Sequence, residues 1–97
     1  METTFTFRNI EASDALKTHT LDKLTKLGKY LVKPMQAHII FGMERFNHVV
    51  EVTLNANGIQ YISHEKSEDM YTSIDKAVAK LERQLKKYKE RLKEHKP

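Results

Sequence analysis

The chain has 97 residues, 17 of them Lys or Arg and 13 Asp or Glu, for a formal charge of +4 with His neutral. That length suits one compact core, which buries roughly two-thirds of the unfolded surface without disulfide or metal, so a single domain over residues 1–97 is expected. The lack of Cys excludes disulfides, thiolate catalysis, iron–sulfur clusters and cysteine-based zinc sites, and 39% hydrophobic against 31% charged residues is the composition of a folded domain.

Met1-Glu2-Thr3-Thr4-Phe5 has no basic segment leading into an apolar one, and no apolar run approaches ~18 residues, so a cytoplasmic protein without membrane contact is expected. Thr4-Phe5-Thr6-Phe7-Arg8 alternates polar and apolar residues, the period of a half-buried strand. Ser13 then offers an N-cap hydroxyl, and Leu16, Leu24, Leu27 and Leu31 recur at helical spacing, which predicts a helix from about Ser13 to Leu31 stopped by Pro34.

Ala37, Ile39, Phe41 and Met43 line one side of a strand over Gln36 to Met43, and Val50, Val52, Leu54 and Ala56 line the next. Asn57-Gly58 supplies the two positive-φ positions of a type I′ turn, so a further strand follows at about Ile59 to His64. Ser67-Glu68-Asp69 opens a last helix in which Met70, Ile74, Val78, Leu81, Leu85, Tyr88 and Leu92 step by four or three. At about 27 residues this helix would be roughly 40 Å long, with its C-terminal end beyond the sheet.

The expected fold is therefore α+β, in the order βαβββα, with a four-stranded mixed sheet and both amphipathic helices packed on one face. Residues 13–33 and 67–97 each carry +3, whereas 1–12 and 34–66 each carry −1, so all the positive excess belongs to the helices. On a wheel of ~100° per residue, Lys76, Lys80, Arg83, Lys87 and Arg91 form one stripe opposite the apolar one, with Asp75 and Glu82 on a flank and Glu82 placed to pair with Lys86. On the first helix Lys23, Lys26, Lys29 and Lys33 avoid the leucine face.

A solvated basic face is ordinary for one helix; two basic faces pointing the same way suit phosphates spaced along nucleic acid. Candidate RNA contacts are Lys23, Lys26 and Lys29 on the first helix and Lys76, Lys80, Arg83, Lys86, Lys87 and Arg91 on the last. Phe5, Phe7, Phe41, Tyr71 and Tyr88 fall largely in the apolar patterns and Met35, Met43 and Met70 read as core filler, so shape and phosphate recognition of structured RNA is expected rather than base stacking on the sheet.

Gly28, Gly42 and Gly58 make no phosphate-cradling loop, and His19, His38, His48, His64 and His95 make no HExxH or His-x-x-x-His pair. Nothing resembles a nucleophile elbow, so no catalytic residue, metal site or cofactor is expected, and no enzyme. Two other readings of the last helix are a coiled-coil strand, which lacks evident e/g charge complementarity, and a membrane-surface helix, whose polar face Glu82, Glu90 and Glu94 interrupt.

Asp69-Met70-Tyr71-Thr72-Ser73-Ile74-Asp75, followed by Lys80-Leu81-Glu82-Arg83-Gln84-Leu85-Lys86-Lys87, closely resembles the last helix of the ribosome hibernation-promoting factor and ribosome-associated inhibitor family, also known as sigma 54 modulation proteins. The resemblance extends to Ala15-Leu16-Lys17, Lys23, Lys26 and the Asn57-Gly58 turn, and so through essentially the whole chain. It implies a double-stranded RNA-binding-domain-like shape that binds 16S rRNA and the 30S subunit within 70S ribosomes, in the channel over the decoding region, and silences translation in stationary phase or stress.

Lys80, Arg83 and Lys87 match the family's basic positions on the last helix, and Lys23 and Lys26 those on the first. Long members add a dimerisation domain and the inhibitor type a tail; a chain ending at Pro97 looks like the short type, which acts with a separate ribosome modulation factor to pair 70S particles into 100S dimers. Such a chain is expected to be a monomer when free. His19 stands where an apolar residue is usual, and Lys29 and Lys76 are additional charges.

Overall fold

The computed structural model describes residues 2–94, with side chains through residue 88. Strand β1 spans Glu2–Phe7, helix α1 Asp14–Thr25, β2 Gln36–Glu44, β3 Asn47–Ala56, β4 Ile59–Ser67 and helix α2 Met70–Glu94. The sheet runs β1-β2-β3-β4, with β1 parallel to β2 and the other pairs antiparallel, as the helical crossover and the hairpins require.

Alternation sorts the strand residues by face. Ala37, Ile39, Phe41, Val50, Val52, Leu54 and Ala56 are buried together with Leu24 and Leu27 from the first helical segment and Met70, Ile74, Ala77, Val78, Leu81 and Leu85 from α2. Phe41 is the pivot of this core: its ring stacks on Phe7 at 4.9 Å and Phe5 at 6.1 Å, aligned by the parallel register. Lys17 reaches from α1 over both β1 rings, its Nζ 5.9 Å from each centroid, which covers the apolar side of an edge strand with an aliphatic stem and a cation.

Helix α1 starts as expected, with the Ser13 hydroxyl accepting from Leu16 N at 3.2 Å, but it is shorter than the leucine spacing suggests. The α-helix ends at Thr25, and Lys26–Tyr30 continues as a 3-10 helix before Leu31 turns extended. Thr20 and Thr25 bend their hydroxyls back to the carbonyls of Leu16 and Leu21, Gly28 lowers helical propensity, and Asn57 claims the exit: its Oδ1 accepts from Val32 N at 2.8 Å while its Nδ2 donates to Tyr30 O at 3.2 Å. The tighter winding still buries Leu27.

Both hairpins close in two residues. Asn57 and Gly58 have φ of 55° and 77°, the type I′ pattern read from their identities. The β2–β3 turn, which the sequence did not reveal, uses Arg45 at φ 59° followed by Phe46. Met43 next to it is 43% exposed and so is not core filler, because it lies at the open rim of the core, in a depression shared with Leu16, Met70 and Tyr71, whereas Met35 and Met70 are buried.

Helix α2 is capped by Asp69, whose Oδ2 accepts from Thr72 N at 3.0 Å, and tied to the sheet by Ser73, whose hydroxyl donates to His48 O at 2.7 Å. Its apolar stripe is consumed by the sheet through Leu85, which leaves no seam there for a coiled-coil partner. The expected projection of its C-terminal end, and the environment of Leu92, fall outside the described side chains.

Candidate nucleic-acid interface

Helices α1 and α2 lie side by side and run the same way: Ser13 and Leu16 share a depression with Met70 and Tyr71, His19 and Lys23 meet Asp75, and Lys26 lines a groove with Ala79 and Glu82. Their polar faces are therefore presented together on the side away from the sheet. Lys76, Arg83 and Lys87 are exposed on α2 and Lys80 is half-buried, with about one helical turn between successive cations. Lys86 is exposed on the flank that faces α1. The side chain of Arg91 lies outside the described ones.

Lys26 and Lys29 stand in the 3-10 segment, where three residues make one turn, so they eclipse on one exposed side. Lys29 Nζ lies 5.2 Å from the Tyr30 ring centroid. The shortened α-helix thus changes the spacing of the first-helix cations without removing them from the face. Between the helices Lys23, Lys26, Asp75, Val78, Ala79 and Glu82 line an open groove of about 200 Å³.

The acid in that groove is the feature sequence reasoning did not connect. Asp75 Oδ1 lies 2.7 Å from His19 Nε2 and 3.8 Å from Lys23 Nζ, and the His19 ring meets Tyr71 edge-on at 5.0 Å. Its partners are 56 and 52 positions away, a separation that no local spacing rule covers. The expected i,i+4 pair of Glu82 with Lys86 is not among the ion pairs of the described residues; Glu82 lines the groove instead. Tyr71, which falls in the apolar pattern of α2, is 40% exposed because its ring packs on His19 at the rim rather than in the core.

Tyr88 is half-buried and close enough to Tyr61 on β4 to affect it. Burial first, and the Tyr88 phenol second, push the Tyr61 hydroxyl above the ordinary tyrosine range. Tyr61 Oη, Ser63 Oγ and Gln84 Oε1 are buried without hydrogen-bond partners among the described residues.

The arrangement presents cations at one-turn intervals over two adjacent helices, a geometry for successive backbone phosphates rather than for one compact anion. Among the described residues no cluster of His, Asp and Glu could hold a metal ion, and no helix is long and apolar enough to cross a membrane.

A family profile described as Sigma 54 modulation protein / S30EA ribosomal protein matches residues 3–93. The ribosome hibernation promoting factors of Salmonella typhimurium and Escherichia coli K12 are 33% and 34% identical to this chain over 95 residues, covering 98% of it and 100% of each relative. The factor of that name from Pseudomonas putida is 32% identical over 91 residues, 94% of this chain and 89% of the relative.

Among solved structures, the N-terminal domain of Thermus thermophilus Protein Y superposes with a TM-score of 0.86 at 27% identity, covering 91% of this chain and 99% of that one. A ribosomal subunit interface protein from Coxiella burnetii superposes with a TM-score of 0.79 at 30% identity, covering 92% and 98%.

Proposed function

The chain belongs to the Sigma 54 modulation protein / S30EA ribosomal protein family, and from that premise we propose that it is a ribosome hibernation factor that silences translation by occupying the 30S decoding channel. The observation that carries this reading is the segregation of charge: the two helical segments hold +3 each, the strands and their flanks are acidic, and α1 and α2 share one face.

Lys23, Lys26, Lys29, Lys76, Lys80, Arg83, Lys86, Lys87 and Arg91 neutralise 16S rRNA phosphates lining the channel between head and body. Messenger and transfer RNA pass through the same channel, so a chain that fills it excludes both by volume. Counterion release drives the association and makes it fall steeply with salt. The free chain is a monomer, its α2 apolar stripe already spent on its own sheet through Leu85. Silenced 70S particles then pair to 100S dimers with the separate ribosome modulation factor in stationary phase or stress.

Sedimentation of purified 70S ribosomes with the chain through sucrose at stepped salt tests the reading. Co-migration with 30S and 70S that salt reverses, and a 100S peak on adding the modulation factor, are the expected results. Chain left at the top of the gradient at low salt would refute it.

A further inference from the structure

Phe46, at the apex of the β2–β3 hairpin, is 91% exposed, the most exposed of the large apolar side chains among the described residues. A single exposed apolar residue is ordinary on a surface. What sets this one apart is its turn. A two-residue hairpin loop with positive φ at its first central residue favours Gly there, and small polar residues throughout. At the other hairpin this chain follows that rule with Asn57-Gly58, but at this one it places Arg45 at φ 59° and Phe46 beside it. Turn chemistry does not explain the pair, and neither does packing, since both side chains are exposed.

The tip also stands at a defined end of the molecule. His48 pairs with Ser67, and α2 begins three residues later, so the hairpin apex lies at the end where α2 starts and where Lys76, the first cation of its stripe, is found. Met43, His48, Ser13, Leu16, Met70 and Tyr71 line one shallow depression there, which ties the base of the hairpin to the starts of both helices.

We propose that Arg45 and Phe46 form a stacking tip that takes one unstacked nucleobase of the RNA held by the basic helices. The inference rests on the ribosome-binding reading. A planar ring and a planar guanidinium, adjacent in sequence and both solvent-exposed, are side-chain groups on which unpaired bases stack, and the Arg cation adds attraction to the adjoining phosphate. Size favours a base over a protein partner, because two apical residues are far short of the roughly 800 Å² per side of a stable protein interface. The basic helices then supply position and salt-dependent affinity, and the Phe46 ring supplies a contact that salt does not screen.

The test compares the wild-type chain with Phe46→Ala and Arg45→Gly on purified 70S ribosomes, together with a chain carrying photoreactive benzoylphenylalanine at position 46. Both substitutions should fold normally, and Arg45→Gly should melt no lower than wild type because Gly accepts the positive φ. Phe46→Ala should weaken binding roughly 5- to 150-fold, the range for one base–aromatic stack, with an unchanged salt slope. Arg45→Gly should bind more weakly despite equal or better stability, and the photo-adduct should be to rRNA and be removed by ribonuclease.

Unchanged affinity in both variants, or an adduct to a ribosomal protein, would overturn the tip while leaving the helix-face reading in place. Failure of the wild-type chain to co-sediment would remove that reading and the tip with it.

Discussion

Asp75→Asn separates the two roles of the cross-helix acid by moving stability and binding in opposite directions. Asp75 is 48% exposed at its side chain, so its contacts with His19 and Lys23 are those of a solvent-screened surface pair, and their loss should cost less than about 1 kcal/mol. For a domain of this size that lowers Tm by at most about 4–8 °C. Asn keeps the shape and can still hydrogen-bond His19, which holds the loss toward the low end.

Binding should improve. A phosphate hydrogen-bonded to Lys23, whose Nζ is 3.8 Å from the carboxylate, would sit about 6–7 Å from Asp75. At that distance, with an effective dielectric constant of about 40–80 for so exposed a pair, the repulsion is roughly 0.6–1.3 kcal/mol. Removing it should tighten ribosome binding roughly 3- to 9-fold at low salt. The gain should shrink as added salt brings the Debye length below that separation. Affinity measured by sedimentation at several salt concentrations, beside thermal unfolding of the free proteins, reads both effects. Weaker binding by a normally folded Asp75→Asn protein would refute the placement of Lys23 against phosphate.

Three further outcomes follow from the packing. Leu81→Ala empties a fully buried site between α2 and the sheet and should destabilise the domain by about 2–5 kcal/mol in denaturant titration. Asn57→Ala removes both hydrogen bonds that hold Tyr30 and Val32 and places Ala at φ 55°; it should cost about 2 kcal/mol and expose the Lys26–Tyr30 amides to hydrogen exchange ahead of the sheet. Because the folded state raises the Tyr61 hydroxyl above its unfolded value, its protonated form is favoured on folding. That stabilisation is full below the ordinary tyrosine range and fades as pH rises through the raised one, so Tyr61→Phe should flatten the alkaline fall in Tm.

Most of the architecture was legible because two periodicities carried it. Alternation at Phe5 and Phe7, at Ile39 and Phe41, and at Val50 to Ala56 located three strands and their buried face, and the 3–4 stepping from Met70 to Leu85 located α2. Asn57-Gly58 fixed a turn because its chemistry is local. The cation stripes followed from the same wheel that found the core.

What was missed depends on contacts between segments far apart in sequence. The early end of α1 is imposed by Asn57 from another hairpin, and Leu27 fits the core from a 3-10 segment as well as from an α-helix. The Asp75–His19 link joins separate helices, so Asp75 read only as a flanking acid. Met43 continued the strand alternation to the open rim of the core beside Leu16, Met70 and Tyr71, and periodicity carries no information on how tightly that rim closes. Arg45-Phe46 is a turn whose residues contradict turn preferences, which hides it from any reading built on them.

The central claim is that the shared basic face of α1 and α2 holds the ribosome, and charge reversal on α2 tests it most directly. Lys80, Arg83 and Lys87 to Glu changes the charge of the two helical segments from +6 to zero while leaving the buried stripe intact. The triple variant should keep its helical content, unfold cooperatively and remain at the top of a low-salt gradient with 70S ribosomes, where the wild-type chain co-migrates. A folded triple variant that sediments with ribosomes at wild-type affinity and salt dependence would contradict it.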